Sequence, residues 1–188
     1  MLCSHGTMLH IMLELPGKKV RTRRKKWEGR VGELAVYPGH GVVRIEELRR
    51  QEIAGQRRQF LVLRMLEDDS RILIPREKAE DVGLRRVMGR KEAARIWEIL
   101  RTRPAPRRRG GLTWSRQFRD YRDKLRSGSV FDIAEVLRDL LRLQREKELS
   151  FGERKVLDSA RSLLVHELAA AQKVAADRVE AELKASFR

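Results

Sequence analysis

The segment Val31–Ile45, VGELAVYPGHGVVRI, constrains the fold more than any other stretch of this chain. Apolar residues alternate at Leu34 and Val36 and return at Val42, Val43 and Ile45, the pattern of half-buried strands. Between the two runs stands Pro38-Gly39-His40-Gly41. Proline presets φ at the start of a turn, and glycine reaches backbone conformations that other residues avoid. A strand, a tight corner and a second strand predict a small antiparallel meander or barrel.

The β pattern continues downstream. Arg44 to Glu52 is charged, with Ile45 and Leu48 interspersed, and Ala54-Gly55-Gln56 predicts a turn. Gln59–Met65 is a strong strand, Glu67-Asp68-Asp69-Ser70 a hairpin turn, and Arg71–Pro75 the next strand. No gap is long enough for a crossover helix, so the strands pair antiparallel. Pro75 ends the pattern because it has no N–H to give a ladder. Glu77 to Gly83 reads as a short turn or helix, with Val82 to Arg85 leading away from the sheet.

The period then changes. Ala93, Ile96, Trp97 and Leu100 recur at helical spacing over Gly89–Leu100, which places Trp97 in a core. Thr102 to Gly111, TRPAPRRRGG, has the proline and glycine content of a linker. Beyond it Thr113 is a candidate cap for a helix over 114–126 whose apolar side carries Trp114, Phe118, Tyr121 and Leu125. Ser127-Gly128-Ser129 interrupts, and a second helix runs from Val130 to about Lys147 on Val130, Ile133, Ala134, Leu137, Leu140 and Leu141. Ser150 and Glu153 form a capping-box pattern before a stripe of Val156, Leu157, Ala160, Leu163, Leu164 and Leu168. A last short helix is expected over 177–186. The expected class is α+β, an N-terminal antiparallel β domain followed by a compact all-α helical bundle. The expected divisions are 1–30, a basic extension; 31–100, the β domain with a trailing helix; 101–111, the linker; and 112–188, the bundle.

Charge sharpens the functional reading. The net charge is +16, and residues 18–30 hold eight Lys/Arg against one acid while 101–110 hold five Arg and no acid. These two segments carry 12 of the 16 excess charges. Concentrated cations of this kind favour polyanions through counterion release, with nucleic acid the usual partner. The alternative is a solvated tail. A single cysteine, Cys3, excludes an intramolecular disulfide and suits a reducing compartment. His5, His10, His40 and His166 lack metal-ligand spacing, and no apolar run has the length of a membrane span.

No catalytic pattern stands out. Phosphate-binding glycine motifs are absent, and His40 has no neighbouring Ser or Cys nucleophile. Neither enzyme chemistry nor a cofactor is expected. The informative piece is TWSRQFR, in which Trp114 at the first turn of a helix is flanked by Arg116 and Arg119. An apolar plate beside two cations suits a wedge between base steps. From spacing alone, a tryptophan that anchors its helix in the bundle core is the commoner outcome.

The ordered set V-Y-P-G-H-G-V, the strand Phe60–Leu63, Ile74-Pro75 through Arg85, T-W-S-R-Q-F-R, A-E-V-L-R-D-L and L-S-x-G-E-R resembles the CarD family of bacterial transcription regulators, in the CdnL branch. The resemblance spans roughly residues 31–170. It implies a Tudor-like β domain that binds the RNA polymerase β subunit, and a helical domain that contacts promoter DNA at the upstream edge of the bubble. Trp114 falls on the family's DNA wedge, which stabilises the open complex, and Arg116 and Arg119 fall beside it. The implied polymerase-binding positions are Arg50, Gln51, Ile53, Arg71 and Leu73. Gln51 and Leu73 stand where family members carry basic side chains. A monomeric, cytoplasmic, nucleoid-associated regulator is the expectation, and a general basic nucleic-acid-binding protein acting without polymerase is the alternative.

Overall fold

The computed structural model describes residues 29–53, 55–103 and 114–187, with only the backbone of Ile53, Trp114 and Ser115. The expectations for the 1–30 extension apart from its last two residues, for most of the 101–111 linker, and for the Thr113 cap lie outside the described residues.

Five strands form one antiparallel sheet: β1 (Leu34–Tyr37), β2 (Gly41–Ile53), β3 (Gln56–Met65), β4 (Arg71–Pro75) and β5 (Arg85–Arg86). Their order across the sheet is β4-β3-β2-β1-β5. The Pro38–Gly41 corner forms as its composition dictates, with Gly39 at φ +78 and Gly41 at φ +89, and the His40 N–H donates to the Tyr37 carbonyl at 3.0 Å. Ala35, Val43, Ile45, Leu61, Leu63, Met65 and Ile74 fill the inner face. The segment between β4 and β5 crosses that face and adds Leu84 to the core, with Ala79 and Val82 packed against it.

β2 is a single strand of 13 residues, although its second half has no strand period. Ile45 and Leu48 are three apart, which in a regular strand would point them to opposite faces. A bulge between Ile45 and Glu47 removes the conflict: Ile45 pairs with Leu63, and Leu48 then pairs with Leu61 on the same face. β5 is the element that the sequence reading missed. Arg85 and Arg86 pair with Val36 and Ala35, so the stretch leading away from the sheet returns to its other edge.

The helices are α1 (Arg90–Arg101), α2 (Trp114–Arg126), α3 (Val130–Glu146), α4 (Phe151–Gln172) and α5 (Ala176–Ser186). Ser129 caps α3 by accepting from the Asp132 N–H, and Ser150 and Glu153 form the reciprocal box that opens α4. Their stripes converge on one core that includes Leu137, Leu140, Leu164 and Leu168. The helix expected to trail the β domain belongs to this core. α1 packs on α3 and α4, burying Ala93, Ile96, Trp97 and Leu100.

Sheet and bundle meet along α4 and β2. Glu167, 2% exposed, accepts two hydrogen bonds from the Arg85 guanidinium at 2.6 and 2.9 Å. Its carboxylate also accepts the Met88 N–H at 3.1 Å, and Arg85 Nε donates to the Gly128 carbonyl at 2.9 Å. Paired and hydrogen-bonded on both sides, the buried charge is satisfied. Beside this pair Pro38 lies against Gly128, where a Cβ would stand 2.9 Å from the proline Cγ. Gly128 also sits at φ +73, so both the backbone and the close approach require glycine there.

Candidate nucleic-acid and protein interfaces

α2 has an apolar side and a cationic side. Tyr121 is buried and accepts a hydrogen bond from Gln117 at 2.7 Å, while Phe118 and Leu125 are half-buried against the helical core. Trp114 is the first residue of the helix; its side chain lies outside the described residues. Arg116 and Arg119 are exposed and have no ion-pair partner among the described residues. The two carboxylates of this helix, Asp120 and Asp123, leave the arginines in excess. Lys124 provides the contrast. Burial alone would lower its pKa, but the Glu135 hydrogen bond and the attraction of Glu135, Asp120 and Asp132 outweigh it and hold the ammonium above its ordinary value. Lys124 is thus committed internally, and the neighbouring arginines are open to an external anion.

The candidate protein-binding residues separate into two groups. Arg71 and Leu73 lie on β4, whose outer edge has no neighbouring strand among the described residues, and pair with Arg64 and Val62. Two positions apart, they share one face. Leu73 is 45% exposed, and Arg71 donates to Glu46 at 2.8 Å. Gln51 and Ile53 lie on the same face of the β2–β3 hairpin, paired with Arg58 and Gln56. Arg50, adjacent to Gln51, faces the other way. Val62 and Arg58, the partners of Leu73 and Gln51, are four residues apart on β3, about 13 Å along the strand. The structure therefore brings Arg71 and Leu73 together and holds Gln51 at a distance. An exposed aromatic that the sequence reading did not single out, Phe151, is 83% exposed at the start of α4.

Among the described residues no helix is long and apolar enough to cross a membrane, and no cluster of three or more His, Cys, Asp or Glu is placed to hold a metal.

Two family models account for this arrangement. The CarD-like/TRCF RID domain matches residues 30–88, and the CarD C-terminal domain matches residues 95–184. The class is that of transcription factors, and the RID domain indicates interaction with RNA polymerase. The chain is 32% identical over 138 residues to YdeB of Bacillus subtilis (strain 168), a protein named as a candidate transcription factor. That match covers 73% of this chain and 88% of the relative. The chain belongs to the CarD/CdnL family. A solved structure, CdnLNt from Myxococcus xanthus, matches with a TM-score of 0.30 and 44% identity, covering 34% of this chain and 89% of that one.

Proposed function

We propose that the sheet binds the β subunit of bacterial RNA polymerase and that α2 contacts promoter DNA at the upstream edge of the transcription bubble, stabilising the open complex. The observation that carries this reading is the pair of exposed arginines without ion-pair partners among the described residues, Arg116 and Arg119, on the helix that Trp114 opens. Tethering to polymerase raises the effective concentration of a weak, non-specific wedge at one junction, so no base-specific readout is needed. Binding open better than closed promoter shifts the equilibrium by that difference in affinity. Arg71 and Leu73 on β4 are the proposed polymerase contacts, with Gln51 and Ile53 further along the hairpin and Arg50 turned to the opposite face. The chain acts as a monomer in the cytoplasm, associated with the nucleoid through polymerase, and catalyses no reaction.

Trp114→Ala is expected to shorten the lifetime of an unstable open complex about tenfold, the scale of one lost base–aromatic stack, while capture by the polymerase β lobe persists. An unchanged lifetime removes Trp114 from the mechanism. Activity that survives without β-lobe binding but fails when residues 1–30 are deleted favours a general nucleic-acid-binding protein instead.

A further inference from the structure

A cleft of about 590 Å³ opens between α2, α4 and the β1–β2 turn. Phe118 lies in its apolar lining, Arg122, Arg126 and Lys155 supply cations, His40 closes the sheet end, and none of the lining residues is a carboxylate. Arg122, Arg126 and Lys155 are exposed and, among the described residues, have no ion-pair partner. Other cations nearby are internally matched: Lys147 to Glu153 at 3.4 Å and Arg154 to Glu148 at 3.0 Å. Unopposed cations above an apolar lining suit a ligand that is anionic along one side and flat and apolar along the other.

Phe118 and Arg122 follow Trp114 at intervals of four along α2, on one flank of the helix. On α4, Phe151 stands four residues before Lys155 and shares its flank. The two helices are close here, since a Cβ at Gly152 would lie 3.2 Å from the Phe118 ring. Phe151, 83% exposed, is not itself part of the lining but immediately precedes Gly152, which is.

We infer that this cleft seats a single DNA strand leaving the duplex at the melted edge, its phosphates on Arg122, Arg126 and Lys155 and an unpaired base against Phe151. The inference rests on the proposed DNA contact of α2 and extends it to α4 and the sheet turn. An unpaired base presents its face to a protein ring without the unstacking cost that a paired one carries, so the contact favours melted over paired DNA.

The test is fluorescence anisotropy of the full chain on a fork-junction DNA and on a blunt duplex of equal length, over a salt series. Phe151→Ala is expected to weaken fork binding about tenfold and leave duplex binding within twofold, with Phe151→Tyr restoring it. Arg122→Gln with Arg126→Gln is expected to flatten the logarithmic salt dependence on the fork by about 0.7 for each phosphate that is no longer neutralised. Equal losses on fork and duplex overturn the single-strand assignment, and no loss on either overturns the cleft as a site. If Trp114→Ala weakens fork binding while the cleft variants do not, the inference alone falls. If Trp114→Ala is also silent, the proposed DNA contact falls with it. Coincident thermal melting of variants and parent confirms that the losses are not misfolding.

Discussion

Arginine occupies two opposite environments in this molecule. Arg85, at the junction of sheet and bundle, spends its donors on the buried Glu167 and on the Gly128 and Arg86 carbonyls. Arg116, Arg119, Arg122 and Arg126, on α2, have no ion-pair partner among the described residues. A cation with all its partners inside the fold holds structure in place. One whose partners are missing contributes little to stability and is available to an external anion.

This contrast orders the expected effects. Glu167→Ala strands the Arg85 guanidinium in a site where its side chain is 30% exposed. A loss of about 3 kcal/mol in urea unfolding is expected, at the low end for a broken buried pair because Arg85 keeps some water. A loss below about 0.5 kcal/mol, the level of an ordinary surface substitution, erases the distinction. Gly128→Ala, at φ +73 and against Pro38, is expected to cost about 2 kcal/mol and to lower the melting temperature. Ser150→Ala removes the α4 cap from a helix otherwise held by its packing, with an expected loss of about 1 kcal/mol in the same measurement. Arg116→Gln with Arg119→Gln should change stability by less than about 0.5 kcal/mol. The same pair should reduce the salt dependence of duplex binding by about 0.9 for each phosphate left without its arginine. Destabilisation by that pair on the scale of Glu167→Ala would mean that the α2 arginines are structural as well.

The helices were legible because each carries its own signal. The Ser150–Glu153 box and the stripes through Leu137 and Leu164 are local, and packing followed them. The sheet was legible where period and turn agreed, from Leu34 to Ile45 and from Phe60 to Pro75. It was obscure where a bulge shifted the parity of β2, since Glu46 has no compositional mark. β5 was hidden because two arginines have no strand propensity of their own; pairing with Ala35 and Val36 makes them a strand. The junction was the least visible part. Arg85 and Glu167 are 82 residues apart, and a lone glutamate on a helix reads as a solvated one. Of the candidate site, Arg116 and Arg119 could be named from TWSRQFR and Arg122 and Arg126 were not, and which cations of α2 lack partners depends on where Glu135 and Asp120 fall in three dimensions.

The Arg85–Glu167 clasp has a geometric consequence. A sheet and a bundle joined by a bare string would sample many spacings, whereas two parallel hydrogen bonds, a proline wedged on a glycine and the packing of α4 on β2 fix one. With the sheet resting on polymerase and α2 on the promoter, the molecule would act as a caliper whose jaw opening is set by its own fold. The promoter position it touches would then be chosen by a length, whatever bases happen to lie there.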